Sequence, residues 1–479
     1  MTLYETLAQR VIDDIRQQRL PAGTRLPALR VMARQNKVSM TTATRTYDYL
    51  QQTGWIYALP QSGYYVASQT GDDHFPVPET LPMESRDPKR FAPGNGYNPH
   101  SNHFNPLGTS MLAPELQPGE ALQRTIRRVA RRSHPGLLRY PELQGELSLR
   151  TALARHFRED HFAFAPSELV ITNGCLEAVR LALECVTTEG DTVAVCSPCF
   201  SGLLDLLATL SRKIIEIPVT HDGIHLPMLE ACMAGGEITA ALLSTTHINP
   251  LGTTLPVAQK QALAELAARY QIPIIEDDIY LELGHQQCHT LPAKYWDRQG
   301  YMLWCGSMSK TLAPGLRLGW CLPGRYQQAY LDRHGLTSLG VNTLTQACVG
   351  ELIATGEYRA HLHKIRLRLQ HQIHQYRQFL RQHLPAHANV SAPEGGLVLW
   401  VQIAGLDAVA LEQTARQQHI DVRSGACFST HPVYHDCLRI NCGWPLQAEQ
   451  ETDSACWQLA ELCRLVSRQL SAATPKVPI

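Results

Sequence analysis

The sequence predicts an α/β protein with a separate small module at its N-terminus. Two apolar runs, at residues 169–171 and 274–275, end in polar residues, and the first leads straight into a helical pattern, as is typical of buried strands in an α/β core. The first 70 residues instead combine short helical patterns with a hairpin pattern. At 479 residues, the chain is long enough for a large core and a small module.

The N-terminal module begins with helical patterns. Apolar residues at helical spacing predict a first helix, and they are Tyr4, Leu7, Val11, Ile12 and Ile15. Residues 21–23, Pro-Ala-Gly, interrupt the chain, and a second helix begins after residues 26–28. A turn at residues 36–39 separates it from a third helix at residues 40–53, for which Ser39 is a good N-cap.

A hairpin pattern follows the third helix. Residues 55–57 and 64–66 have strand composition, and the turn between them contains Gly63. A helix, a helix-turn-helix and a hairpin together predict a winged helix at residues 1–70.

The charge of this module differs from that of the whole chain. Residues 1–70 contain eight basic and four acidic side chains, a net charge of +4, whereas the chain has 43 of each sign. A basic winged helix is typical of binding to double-stranded DNA, with the third helix in the major groove. The predicted contact residues are Arg30, Ser39, Thr41, Thr42, Thr44, Arg45 and Gly63. The alternative is a helical accessory domain that packs on the body or mediates dimerisation.

The loop at residues 307–320 carries the strongest chemical signal. It places Lys310 beside Ser307 and Ser309 and seven residues before Arg317. A pyridoxal phosphate (PLP) site needs an amine for a Schiff base, and hydroxyl and guanidinium donors for the phosphate. Lys310 is therefore the predicted cofactor lysine.

This loop, S-x-S-K-x-x-x-P-G-x-R-x-G-W, resembles the lysine loop of fold-type I aminotransferases. The resemblance implies a mixed, mostly parallel sheet with flanking helices and a small C-terminal domain. It covers about residues 98–475, and we place the aminotransferase-like domain at residues 99–475.

The resemblance implies further residues that bind the cofactor. Asn173, Gly174 and Cys175 lie at a strand-to-helix junction, where free backbone N–H groups hold a phosphate. Asn249, in Asn-Pro-Leu-Gly, matches the asparagine that bonds the phenolic oxygen of the cofactor. Phe200 matches a stacking aromatic residue, with a core role as the alternative.

A carboxylate and a tyrosine follow the strand pattern at residues 274–276. Asp277 matches the acid that keeps the ring nitrogen protonated, and Tyr280 matches the residue that shares the phenolic oxygen with Asn249. Arg439 resembles the arginine that binds the α-carboxylate of an amino acid. Tyr140 resembles the tyrosine that reaches the phosphate in the neighbouring subunit, which implies a homodimer.

The N-terminal module is similar to the heads of GntR-type regulators in its Leu-Pro-Ala-Leu-Arg segment at residues 26–30 and in its wing. A GntR-type head joined to an aminotransferase-like body is the architecture of the MocR-type subfamily. One departure is Met40, where a basic residue often follows the turn serine. Base readout therefore rests on the threonines and Arg45.

A proline-rich stretch at residues 71–98 indicates a semi-rigid linker between the two domains. Residues 91–96 at its end have a second interpretation as a segment that covers the substrate pocket. Both interpretations remain open from the sequence.

Composition favours a cytoplasmic protein. The chain has no apolar run near the ~20 residues of a membrane helix, and its first residues lack the apolar region of a secretory signal. Fourteen cysteines without paired spacing fit a reducing compartment. His361, His363, His371 and His374 lie in an arginine- and glutamine-rich helical stretch, for which a solvated face is expected, and no metal site is predicted.

We therefore expect a PLP-dependent, DNA-binding transcriptional regulator whose body senses an amino acid or amine effector. The alternative is a catalytically active PLP-dependent aminotransferase with an accessory head, since Lys310, Asp277 and Arg439 suffice for its half-reaction. A third possibility is a PLP-binding body without any ligand response.

Overall fold

A computed structural model describes residues 3–17, 19–21, 24–52, 55–59, 63–66, 81–88, 106–132, 138–285, 290–446 and 454–473. The tip of the predicted wing at residues 60–62 lies outside these ranges. So do the segment at residues 91–96 and the predicted linker, apart from residues 81–88.

The N-terminal module has the predicted order of elements. Helix α1 (Leu3–Arg16) is followed by α2 (Leu29–Gln35) and α3 (Met40–Gln52), and strands β1 (Ile56–Leu59) and β2 (Gly63–Val66) form an antiparallel hairpin. The winged helix-turn-helix is confirmed.

One small apolar core holds this module together. Tyr47 of α3 is buried and donates a hydrogen bond from its hydroxyl to Pro27 O at 2.8 Å, which ties α3 to the start of α2. The buried apolar side chains come from every element, and they are Leu7, Ala8, Ile12, Ile15, Leu26, Met32, Ala33, Ala43, Tyr47, Leu50, Ile56 and Val66. Burial of side chains from all three helices and the hairpin fixes their mutual orientation.

The body is built on an eight-stranded sheet with the strand order β3-β10-β9-β8-β7-β4-β5-β6. Strands β5, β4, β7, β8 and β9 are parallel neighbours, whereas β10, β3 and β6 pair antiparallel. The strands are β3 (Val170–Thr172), β4 (Thr192–Ser197), β5 (Lys213–Thr220), β6 (Gly223–Ile224), β7 (Ala240–Leu243), β8 (Ile274–Asp277), β9 (Met302–Ser307) and β10 (Gly319–Leu322). The predicted mixed, mostly parallel sheet is confirmed.

Helices cover this sheet, as the buried, nearly uniformly apolar strands require. They are α4 (Gly119–Arg131), α5 (Leu147–Glu159), α6 (Cys175–Val186), α7 (Ser201–Thr209), α8 (Leu226–Ala234), α9 (Val257–Tyr270), α10 (Gln327–Thr337) and α11 (Thr343–Ala354).

A smaller C-terminal unit has an antiparallel sheet in the order β11-β12-β14-β13. Its strands are β11 (Asn389–Val390), β12 (Val398–Gln402), β13 (Arg423–Ser424) and β14 (Cys437–Asn441), and its helices are α13 (Ala408–Gln417) and α14 (Ala455–Ala473). The long helix α12 (Glu357–His383) leads into it from the large sheet.

Helix α12 is less solvated than its composition suggests. His361 is half-buried and its ring Nε2 lies 2.8 Å from Thr311 O in the lysine loop, whereas His363 is exposed. Burial lowers the pKa of His374 to about 4. The expected solvated face therefore applies to only some of these histidines.

Residues 81–88 lie against the body. Arg86 and Ile214 of β5 exchange two backbone hydrogen bonds of 3.0 and 2.8 Å, and Leu81 is buried. The hydroxyls of Ser85 and Thr192 are 2.9 Å apart. This part of the predicted linker is docked on the edge of the large sheet.

Candidate functional site

Strand topology gathers the predicted body residues at one edge of the large sheet. Because β4, β7, β8 and β9 are parallel, their carboxyl ends meet at the same edge, where ligands bind in open α/β sheets. The residues that follow these ends are Phe200, Ser244, Asn249, Asp277 and Lys310.

A cavity of about 190 Å³ opens at this edge. Its lining includes eight predicted residues, which are Cys175, Phe200, Asn249, Asp277, Tyr280, Ser309, Lys310 and Arg317. Ser244 also lines the cavity and was missed, although it directly follows the apolar strand β7, and Asp277 ends the neighbouring strand β8. Asn173, Gly174, Ser307, Tyr140 and Arg439 are not among the lining residues.

Lys310 is the basic centre of the cavity. Its Nζ donates a hydrogen bond to Ser110 O, and Ser110 Oγ lies 2.7 Å from the hydroxyl of Tyr280. Burial, followed by the positive charge of Arg439, lowers the pKa of Lys310 to about 8. A larger fraction of this amine is therefore neutral and nucleophilic near pH 7 than of an ordinary lysine.

Asp277 provides the negative charge of the cavity. Burial raises its pKa, and the Cys175 thiol donates to its Oδ1 at 3.1 Å. A carboxylate here can accept a hydrogen bond from a protonated ring nitrogen of a ligand in the cavity.

The loop between β9 and β10 lies against the start of α6. Arg317 Nη2 donates to Asn173 O at 3.3 Å, and a Cβ on Gly174 would lie 2.6 Å from the same nitrogen. The hydroxyls of Ser307 and Ser309 are 2.8 Å apart, and Ser307 donates to Leu318 O at 2.8 Å. Ser307 thus holds the loop and Ser309, while Ser309 and Arg317 face the cavity.

Arg439 is buried on β14, next to the cavity rather than in its lining. Its Nη2 donates to Gly108 O, and its Nη1 donates to Asn249 Oδ1 at 3.4 Å. Its Nε has no hydrogen-bond partner among the residues that the structure describes. A buried guanidinium with an unused donor is suited to bind an anionic group.

Residues 106–111 cover this part of the site. Asn441 holds the segment through its backbone N–H to Leu107 O at 2.7 Å and its side-chain amide to Pro106 O at 2.7 Å. The carbonyl groups of Gly108 and Ser110 then face Arg439 and Lys310. Sequence reasoning missed this segment because it acts through backbone carbonyl groups, which every residue has.

Tyr140 and Phe200 differ in their placement. Tyr140 is 86% exposed and makes no contact with the cavity of its own chain, whereas Phe200 lies half-buried at its wall. The cofactor roles of both residues stay predictions.

In the winged helix, most of the predicted DNA residues lie in the first two turns of α3 or just before it, whereas Arg30 lies on α2 and Gly63 on β2. Ser39 Oγ accepts a hydrogen bond from Thr42 N at 3.1 Å and lies 2.8 Å from Thr42 Oγ1, so Ser39 caps α3 as expected. Arg30, Thr41 and Arg45 are exposed, whereas Thr42 and Thr44 are half-buried.

A further basic residue lies beside the wing. Gly63 has φ of +115°, and a Cβ added there would lie 3.5 Å from Arg25 Nε. Arg25, which was not predicted as a contact, also forms a β-bridge with Tyr65. DNA contacts by these residues stay predictions.

No helix of the described residues is both long enough and apolar enough to cross a lipid bilayer.

Comparisons with known proteins match both domains. Residues 3–66 match the family of bacterial regulatory proteins of the gntR type, and residues 107–456 match the family of class I and II aminotransferases. The chain is 33% identical to the HTH-type transcriptional regulator YjiR of Escherichia coli (strain K12), over 93% of this chain and 96% of that protein. It is 25% identical to the probable rhizopine catabolism regulatory protein MocR of Rhizobium meliloti, over 83% and 80%.

The fold of the body is shared with solved aminotransferases. The multiple substrate aminotransferase from Thermococcus profundus superposes with a TM-score of 0.70 at 23% identity, over 78% of this chain and 94% of that one. With a GntR-type winged helix, a class I and II aminotransferase domain and relatives that span nearly its whole length, the chain belongs to the MocR-type regulators of the GntR family.

Proposed function

We propose that the protein is a PLP-dependent transcriptional regulator that binds double-stranded DNA as a homodimer and responds to an amino acid or amine effector in the cytoplasm. One observation carries the proposal. Lys310 and Asp277 line a single cavity, with Arg439 beside it, in a chain that also carries a GntR-type winged helix.

The residues of the cavity fit PLP. When bound, PLP supplies an aldehyde that captures a primary amine and a ring that accepts electrons. Lys310 would hold the aldehyde and Asp277 the ring nitrogen, and Asn249 and Tyr280 would hold the phenolic oxygen. The start of α6, Ser309 and Arg317 would hold the phosphate, because they offer backbone, hydroxyl and guanidinium donors at one end of the cavity.

The effector would compete with residues 106–111. A ligand carboxylate on Arg439 would replace the Gly108 carbonyl, and the Lys310 amine, which donates to Ser110 O, would compete with the amine of the ligand for the cofactor. The charged ligand group is a stronger partner for a guanidinium than a neutral carbonyl. Effector binding would therefore release residues 106–111, which come after the predicted linker in the sequence.

The connection to the winged helix runs through residues 81–88. Their backbone pairing with Ile214 anchors this part of the chain on β5, two residues before the buried carboxylate of Glu216. Glu216 accepts hydrogen bonds from Ser429 Oγ at 2.7 Å and from Thr430 N at 2.6 Å, in the loop that follows Phe428. Since Arg439 lies 5.4 Å from the centre of the Phe428 ring, a chain of contacts joins the effector site to the anchored linker.

An exposed apolar patch supports the homodimer. Leu138, Tyr140, Leu336 and Leu339 are 92%, 86%, 83% and 61% exposed. They lie together, since Gly340 packs against Pro141 and Gly335 faces Leu143. A cluster of exposed apolar side chains is typical of an interface, and the resemblance to aminotransferases implies that Tyr140 reaches the site of the neighbouring subunit.

A ligand screen tests the proposal. Amino acids and amines would be added to the PLP-loaded protein, and cofactor absorbance and DNA affinity would be followed in parallel. We expect some ligand to change both, because an effector shifts a conformational balance by its affinity difference between states. In Arg439→Ala, a carboxylate ligand should lose several kcal/mol of binding, roughly two charge-assisted hydrogen bonds, while DNA binding without ligand is retained. Ligands that change absorbance but never DNA affinity would refute effector sensing.

The second candidate function is catalysis by an aminotransferase. The lowered pKa of Lys310 favours it, because an amine with a pKa of about 8 can carry a proton to and from a substrate near neutral pH. Release of keto acid at a typical enzyme rate of about 10 per second, with DNA affinity indifferent to every substrate, would support catalysis over regulation.

A further inference from the structure

A charged pair lies beside Arg439 on the small sheet. Arg423 of β13 is directly opposite Arg439 of β14 in antiparallel register, so both side chains project from one face of the sheet. They are only 6% and 4% exposed. Two buried like charges in adjacent cross-strand positions need an opposite charge nearby.

Asp421 supplies that charge, but it forms hydrogen bonds with only Arg423 of the two arginines. Its Oδ2 accepts a hydrogen bond from Arg423 Nη2 at 3.0 Å, and its Oδ1 contacts Nη1, which gives a two-point contact. Arg439 has no carboxylate partner within the described part of the chain and is held by Gly108 O and Asn249.

Asp421 also borders the place that a ligand carboxylate would take. A Cβ added to Gly108 would collide with the Asp421 carboxylate, so the peptide whose carbonyl faces Arg439 packs directly against Asp421. A ligand that replaces this carbonyl therefore meets Arg439 on one side and Asp421 on the other.

The charges at this point leave room for one anion. Arg439 and Arg423 contribute two positive charges and Asp421 one negative charge, so a single ligand carboxylate makes the group neutral. A second carboxylate would leave a buried negative charge without a partner, and a ligand without a carboxylate would leave Arg439 uncompensated. Either unpaired charge weakens binding, because an unpaired buried charge is costly.

We propose that the Asp421–Arg423 pair determines effector specificity by restricting the site to amino acids with one carboxylate. The inference rests on the proposed function, in which Arg439 receives the carboxylate of an effector. Arg423 and Asp421 act here by charge and position, without forming the bond to the ligand carboxylate themselves.

The test uses the PLP-loaded full-length protein and three ligands of matched chain length. L-norleucine carries one carboxylate, L-2-aminoadipate carries two, and n-pentylamine carries none. Dissociation constants would be measured by titration of the cofactor absorbance. We expect norleucine to bind at least about tenfold more tightly than each of the others, the factor that corresponds to one modest charge interaction.

Two substitutions and their combination sharpen the test. Asp421→Asn makes the site more positive by one charge, so the affinity for aminoadipate should rise relative to that for norleucine. Arg423→Met leaves Asp421 unpaired, so the affinity for norleucine should fall relative to that for pentylamine. The double variant has the charge of the wild type, and the preference for norleucine should return, which a purely structural loss in either single variant would not produce.

The outcomes separate two kinds of failure. Tighter binding of aminoadipate than of norleucine to the wild type, or equal weakening of all three ligands by Asp421→Asn, would overturn the charge rule alone. A cofactor spectrum that responds to none of the three ligands, nor to any other amino acid or amine, would overturn the effector role and this inference with it.

Discussion

The winged helix and the aminotransferase-like body use their polar residues in opposite ways. In the winged helix, Arg30 of α2 and Thr41 and Arg45 of α3 are exposed, and the core of the module is almost entirely apolar. In the body, Asn249 and Arg439 are buried polar groups, and the site is assembled from the ends of several strands.

This difference predicts how each region responds to mutation. Exposed basic residues contribute separately to DNA affinity, and salt screens their contribution. Buried residues in one hydrogen-bonded site depend on each other, so that the loss of one leaves others without partners. Single substitutions in the winged helix should therefore lower DNA affinity in small steps. A single substitution in the site of the body should disturb the whole site.

The largest expected effect is complete loss of the covalent cofactor link in Lys310→Ala. The protein should still fold, because Lys310 lies at the cavity wall rather than in an apolar cluster. Borohydride reduction followed by mass spectrometry of the intact chain measures the link, and DNA binding without ligand serves as the control. A reducible PLP adduct of unchanged yield in the variant would disprove the assignment.

The next effect concerns DNA. Arg30→Ala and Arg45→Ala should each weaken operator binding by about 1–3 kcal/mol if they reach a base or phosphate, and phosphate contacts should also lower the salt dependence. Arg19→Ala is the control, because Arg19 is exposed but lies outside the helix-turn-helix and pairs with Asp14. Equal losses in all three variants would contradict a recognition face at α3.

A third prediction links the two regions. Arg86→Pro removes the backbone N–H that donates to Ile214 O, whereas Arg86→Ala keeps it. The proline variant should lose most of the ligand effect on DNA affinity, about 1–3 kcal/mol in typical allosteric proteins, while each binding reaction alone is preserved. Titration of DNA with and without ligand measures this coupling. If both variants behave alike, the anchored linker does not carry the signal.

The smallest effect is a pH dependence of PLP capture. Because the pKa of Lys310 is lowered to about 8 from its ordinary 10.5, the neutral amine predominates above pH 8 rather than only above 10.5. The rate of PLP capture by cofactor-free protein should rise about fivefold from pH 7 to pH 8 and level off above pH 9. Stopped-flow absorbance measures the rate. A rate that still rises tenfold per pH unit above pH 9 would indicate an ordinary lysine.

Local sequence patterns determined the elements of the winged helix and the core of the candidate site. The helices, the turn with Ser39 and the hairpin follow from periodicity and capping, which act within a few residues. Lys310, Ser309 and Arg317 share one loop, and Asp277 ends the strand pattern that begins with Ile274 and Ile275. Such signals are readable because the residues that cooperate are close in sequence.

Only the tertiary structure decided which distant groups meet. Gly108 O reaches Arg439 across 331 residues, and Ser110 O reaches Lys310 across 200 residues. The pairing of β13 with β14 places Arg423 beside Arg439, and the backbone of Arg86 pairs with the edge of β5. These contacts depend on strand order and on backbone carbonyl and amide groups that are common to all residues, so side-chain patterns along the chain carry no signal for them.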